Sequence, residues 1–184
     1  MKTILLSALA SVAFAAAPAF AQDAAATGDG ASASMEPMTI TMNAQDGSNR
    51  GTVTITPTPN GLLFDADLSG LEPGEHGFHI HETGTCEGDF TSAGGHYNPT
   101  DMEHGFKVEG GPHAGDMENF TAAEDGAAKF AAFNANLTVT GGDAPIMDAD
   151  GSAVMVHGGA DDYESQPSGD AGDRVACGII APAQ

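Results

Sequence analysis

From Pro37 onward the chain is cut into short runs that suit β-strands and nothing longer. Met38–Asn43, Thr52–Thr56 and Leu62–Leu68 alternate or cluster β-forming residues, and Gly77–Glu82 reads as a fourth strand. Asn119–Ala122 and Lys129–Phe133 flank Ala123-Glu124-Asp125-Gly126, a hairpin-turn sequence, and Pro59-Asn60-Gly61 is another turn signal. Leu137–Thr140, Ser152–His157 and Arg174–Ile180 complete the set. No stretch carries a 3.6-residue apolar period with caps at its ends. Short strands punctuated by glycines and prolines, 25 and 10 in the whole chain, specify an all-β antiparallel sandwich or barrel. Two segments break the rhythm, residues 83 to about 118 and residues 158–173. Connections this long are uncommon in compact domains unless they carry function.

The first 21 residues read as an export signal. Lys2 is the positive n-region, Ile4–Ala17 the apolar run and Ala19-Phe20-Ala21 a small-x-small cleavage site. The alternative is an uncleaved anchor, but the apolar run is short for a membrane span. Residues 22–36 are rich in Ala, Gly, Ser and Asp and read as a flexible leader to a domain over 37–184. Met35, Met38 and Met42 at this junction could form a thioether patch or simply pack. Removing 21 of 184 residues leaves 163, the size of one domain. The localisation expected is periplasmic or secreted.

The whole chain has a net charge of −21 from 5 basic and 26 acidic residues; Lys2 leaves with the signal, so the mature chain stands at −22. That charge argues against nucleic acid and anionic membrane surfaces as partners. The only two cysteines, Cys86 and Cys177, lie 91 positions apart. Export puts them where a disulfide persists. A pair would stabilise the domain by roughly 4–5 kcal/mol in the chain-entropy account; two free buried thiols are the other reading.

Histidines occur at 76, 79, 81, 96, 104, 113 and 157, six of them within 38 residues. His79 and His81 are two apart on an expected strand, so both imidazoles leave the same face and can chelate one ion. His76 is an odd number of residues from both and is expected to point the other way as a structural histidine. The first long segment then supplies His96, His104 and His113-x-x-Asp116, and His157 ends a later strand. Imidazoles suit zinc and copper, and a carboxylate added to imidazoles is common at zinc. The absence of a cysteine cluster excludes thiolate and iron–sulfur sites, and no His-Glu-x-x-His helix is present. The residues alone thus specify an exported β domain with one or two histidine-rich metal sites.

Gly77-Phe78-His79-Ile80-His81-Glu82 resembles the first signature of the copper/zinc superoxide dismutases, and Gly169 to Ile180, with Arg174 and Cys177, resembles the second. Ser92 to Pro99 is similar to the segment that holds that family's bridging histidine. Ala160 to Gly172 resembles bacterial exported members in particular. The resemblance covers residue 38 to the C-terminus. It implies an eight-stranded antiparallel Greek-key β-barrel with two long functional loops, and one copper and one zinc ion per subunit. His79, His81, His96 and His157 match the copper ligands; His96, His104, His113 and Asp116 match the zinc ligands. His96 would bridge the two ions and take part in proton transfer, and Arg174 matches the catalytic arginine beside copper. Cys86 and Cys177 match the family disulfide, and Asp161 the carboxylate that links a copper histidine to a zinc histidine. The implied reaction is dismutation of superoxide to oxygen and hydrogen peroxide. A copper/zinc carrier of the same fold without turnover, a copper-only enzyme and a structural export domain are the competing readings. A homodimer is one assembly the resemblance leaves open.

One departure stands out. Family members commonly place basic residues around the channel, yet the 158–173 segment has none and holds Asp161, Asp162, Glu164, Asp170 and Asp173. Lys107 is the only nearby candidate for a guiding lysine.

Overall fold

A computed structural model describes residues 36–182. The expected export signal and the leader as far as Met35 lie outside the described residues. Nine strands follow: β1 Met38–Asn43, β2 Asn49–Thr58, β3 Gly61–Leu68, β4 Gly74–His76, β5 Phe78–His81, β6 Phe120–Ala122, β7 Ala128–Asn134, β8 Ser152–His157 and β9 Arg174–Ile180. The only helical piece among the described residues is a single 3₁₀ turn at Thr91–Ala93. Seven strands form one sheet in the order β5-β8-β9-β1-β2-β3-β7, and β4 pairs with β6. All strand pairs are antiparallel. The sheet curls into a half-barrel, and the β4–β6 pair is joined through the chain to both of its edge strands, β5 and β7. β4 runs into β5 through Gly77, and β6 turns into β7 through the expected hairpin, closed by Ala123 N–H to Ala127 C=O at 2.8 Å.

The all-β antiparallel expectation holds, with two differences. Gly74–His81 is one extended run that exchanges β6 for β8 as its partner at Gly77, so it counts as two strands where the eight-strand pattern has one. Leu137–Thr140 is not a sheet strand. Leu137 and Val139 are buried like a strand's inner face. However, Gly141 and Gly142 at φ 67° and 74° fold the chain back at once, and residue 138 bonds locally to 144 and 146.

Alternation decides which side chains enter the core. On β3, Leu62, Phe64, Ala66 and Leu68 are buried while Asp65 and Asp67 are exposed. Phe78 of β5 stands edge-on to Phe64 and Phe130, at 6.2 and 5.1 Å between centroids. Each such buried ring or branched side chain contributes about 1.5–3 kcal/mol. On β5 and β8 both faces are covered. Phe78, Ile80, Val154 and Val156 enter the main core. Ala153 and Met155 turn the other way, where they pack with Phe90, Ala93 and Cys177 in a second, smaller core. His79 lies opposite Met155 and His81 opposite Ala153, so the two imidazoles share that second face. The Cys86–Cys177 disulfide is formed and ties the long loop over it to β9.

Candidate metal centre

The first long loop returns to lie against β5 like an interrupted strand. Ile80 N–H donates to Gly115 C=O at 2.9 Å, Tyr97 N–H to Ile80 C=O at 2.8 Å, and Glu82 N–H to Gly95 C=O at 3.1 Å. These bonds set His96 opposite His81 and Asp116 opposite His79. At the end of β8 a bulge between Val156 and His157 brings His157 opposite Arg174. Bulges commonly re-aim side chains beside functional sites in this way.

The outcome is two groups of candidate ligands, His79–His81–His96–His157 and His96–His104–His113–Asp116. Within each, the ligand atoms lie within 4.8 Å of one another, and all seven residues are buried. His76 belongs to neither. Its ring nitrogens face the carbonyls of His157 and Glu72 at 2.6 and 2.8 Å, and it stacks on Phe120. It is structural, as its odd spacing predicts.

The ring nitrogens show what the groups are built for. In the all-histidine group, His79 Nε2 meets Asp161 Oδ2 at 2.8 Å, His81 Nδ1 meets Gly94 C=O at 3.0 Å and His157 Nδ1 meets Gly172 C=O at 3.2 Å. A neutral imidazole has one N–H. Donation there leaves the opposite nitrogens as bare lone pairs, and His81 Nε2 and His157 Nε2 face one another at 3.3 Å. His79 Nδ1 and His96 Nε2 are buried with no hydrogen-bonding partner at all. In the second group, His104 Nδ1 and His113 Nδ1 are likewise orphaned; they stand 3.1 and 3.4 Å from Asp116 oxygens without forming hydrogen bonds. His96 Nδ1 is 2.8 Å from Asp116 Oδ1, so the ring turns one nitrogen to each group. Buried polar atoms are costly when unpaired. Converging lone pairs on neutral imidazoles are the donor set of a transition metal, and three imidazoles with one carboxylate suit zinc.

Electrostatics keep the lone pairs of the all-histidine group free. Burial holds His81 well below the usual histidine range and lowers His96 to about 4 and His157 to about 3. Burial also opposes charge on His104, but Asp116 and Asp161 outweigh it and carry its imidazole up to about 9. Asp116 and Asp161 remain ionised despite burial, because histidine and backbone N–H groups donate to them. Asp161 joins the groups: Oδ2 takes His79 Nε2 and Oδ1 takes His104 Nε2 at 3.0 Å. Such outer partners fix ring orientation and tautomer. Gly169, at φ 68°, is required beside them, since a Cβ there would strike the Asp161 carboxylate and the His104 ring.

Arg174 stands at the mouth of the all-histidine group. Its Nη1 donates to Phe90 C=O and its Nη2 to Gly94 C=O, both at 2.6 Å. Gly94 C=O therefore serves Arg174 and His81 together. A cleft of about 460 Å³ opens here, lined by Arg174, His81, His96, His157, Glu82 and Pro167, among others. Hollows of about 610 and 540 Å³ elsewhere on the domain carry no histidine. Lys107 is not among the cleft's lining residues. Its Nζ donates to Asp162 C=O at 2.8 Å and lies 5.5 Å from the Tyr163 ring centroid, so it ties the two loops together. Met42 is fully buried in the main core and Met38 packs against it, while Met35 lies outside the described residues.

Three residues that the sequence does not single out also support the centre. Glu82 Oε1 accepts the Gly95 N–H at 3.0 Å, while Gln166 and Asn119 bond the backbones of His104 and Asp161. Side-chain amides in irregular loops leave no periodic signal.

The model of the copper/zinc superoxide dismutase family (SODC) matches residues 49–180. The copper/zinc superoxide dismutase of Caulobacter vibrioides is 42% identical over 146 residues, covering 77% of this chain and 84% of that protein. Superoxide dismutase (Cu-Zn) 1 of Aquifex aeolicus is 40% identical over 139 residues, 74% of this chain and 82% of its own. Among solved structures, a double mutant of a SOD-like protein from Bacillus subtilis superposes with a TM-score of 0.74 at 39% identity, covering 78% of this chain and 96% of that one. The Cu/Zn superoxide dismutase from Brucella abortus gives 0.66 at 34% identity, covering 79% and 99%.

Proposed function

The chain belongs to the copper/zinc superoxide dismutase family, and from that premise we propose that it converts superoxide to oxygen and hydrogen peroxide at the mouth of the all-histidine group. His79, His81, His96 and His157 hold one copper ion; His96, His104, His113 and Asp116 hold one zinc ion. The observation that carries this reading is the pair of ligand groups sharing His96, with buried ring nitrogens that no protein group satisfies. Copper held there would supply a one-electron redox couple. Arg174, a fixed cation with a planar donor fork, binds and orients the anion beside the cleft's histidines. His96 offers Nε2 on the cleft side as the proton-carrying atom. Asp116 and Asp161 fix the His96, His79 and His104 rings. The formed disulfide and the bacterial relatives support an exported, periplasmic or secreted enzyme; cleavage after residue 21 and a leader to residue 36 rest on the sequence pattern.

The test is metal analysis of purified protein beside a superoxide-consumption assay with and without chelator. We expect one copper and one zinc per chain and activity that the chelator removes. Copper without zinc would support a copper-only enzyme. Both metals without consumption would support a carrier of the same fold.

The cleft bears on rate as well. Arg174 is its only lysine or arginine, Glu82 lines it, and the mature chain's −22 surrounds it. Attraction by one local cation is set against long-range repulsion of an anionic substrate. Salt screens the long-range part first, with a Debye length of about 10 Å at 0.1 M. The rate should therefore stay flat, or rise, as ionic strength goes from low to moderate. A steep fall over that range would show net attractive steering and refute this.

A further inference from the structure

The two long loops are joined by a reciprocal pair of side-chain amides. Gln166, in the 158–173 loop, accepts the His104 N–H at Oε1 (2.9 Å) and donates from Nε2 to the His104 C=O (2.8 Å). Asn119, at the end of the 83–118 loop, does the same to Asp161, accepting its N–H at 2.9 Å and donating to its C=O at 2.8 Å. The gripped residues then meet through their own side chains, His104 Nε2 to Asp161 Oδ1 at 3.0 Å. Each loop thus holds one residue of the other.

A carboxamide is a planar donor–acceptor pair, so it can replace one rung of a β-ladder. His104 needs such a rung. It is fully buried, lies in a loop without a strand, and sends both of its backbone hydrogen bonds to Gln166. Its ring direction follows from that backbone. Gln166 itself is exposed, so its substitution opens no core cavity. Pro167 and Ser168, next in the chain, line the cleft beside Arg174. The grip therefore connects the zinc group to the wall of the substrate cleft.

We propose that Gln166 is a positioning residue for the zinc group, holding His104 in ligand geometry through its backbone. This rests on the reading of that group as a zinc site. Partners that orient metal ligands typically change metal affinity by about 10–100-fold when lost. The test uses the full chain, copper-loaded and with its disulfide intact, as wild type, Gln166→Ala and Gln166→Glu. The glutamate variant keeps size and the acceptor but replaces the donor with an oxygen facing the His104 carbonyl. Zinc affinity is measured against a chromophoric chelator, and ligand geometry by the visible spectrum of cobalt(II) placed in the zinc group. Both variants should bind zinc about 10–100-fold more weakly, with an altered cobalt spectrum. The unfolding midpoint of the metal-free protein should fall by only a few degrees, the cost of leaving the His104 backbone groups unpaired, and both variants should be fully folded at the temperature of the affinity measurement. Unchanged zinc affinity and cobalt spectrum in both variants, with or without a lower midpoint, would overturn the inference alone. A wild type that takes up no zinc would overturn the zinc-site reading and the inference with it.

Discussion

His157→Ala abolishes superoxide consumption, by more than a hundredfold, while the domain stays folded. The imidazole closes the all-histidine group proposed to hold copper at the end of β8, its Nδ1 held by Gly172 C=O and its Nε2 3.3 Å from His81 Nε2. Loss of a mere outer partner costs metal sites about 10–100-fold, and removal of a ligand exceeds that. The fold is insulated by strand parity. Val154 and Val156 enter the main core, whereas His157 faces the cleft with the other imidazoles. Truncation there opens no hole in the core, so the large cavity costs of core substitutions do not apply. Zinc content should hold near one per chain, because His157 is not in that group. The checks are the rate of superoxide consumption, copper and zinc content, and the unfolding midpoint. Retained activity with bound copper would overturn the copper assignment.

Much of this centre is legible in the sequence because two of its parts obey local rules. The spacing of His79 and His81 gives a shared face wherever the segment is a strand, and β5 is one. The same parity separates His76. The alternation in Leu62–Leu68 and the turn at 123–126 are read as easily, since each depends on neighbours in the chain. What fails depends on partners far away. Leu137 and Val139 alternate like a strand, yet two glycines at positive φ turn them into a closed loop that still fills the core. Nothing local marks Gly77 as the point where one extended run changes partner. The direction of Lys107 is likewise set far away, by Asp162 and Tyr163, 55 and 56 positions on. Family resemblance, not spacing, divides the ligands into copper and zinc sets, and the geometry at His96 gives that division its physical sense.

Replacing Cys86 and Cys177 together by alanine should lower the stability of the metal-free domain by about 4–5 kcal/mol, the chain-entropy value for so long a closed loop. For a domain of this size that is a drop in midpoint of roughly 10–20 °C. Activity of the metal-loaded enzyme should fall far less, by under about tenfold, because the loop over the site has other anchors. Phe90 and Ala93 are buried against Ala153 and Met155, and one buried phenylalanine contributes about 1.5–3 kcal/mol. Arg174 donates to Phe90 C=O and Gly94 C=O, and hydrogen bonds from a charged donor contribute about 1.5–3 kcal/mol each. Those contacts outweigh the local freedom gained when the tether is cut, so Arg174 stays in place in the folded state. The disulfide acts mainly on the unfolded chain, and the arginine and small core act on the site. Denaturant unfolding of metal-free protein, beside the rate of the metal-loaded form, separates the two. Lost activity at unchanged stability would mean that the disulfide itself holds Arg174, and that the small core under the loop does not.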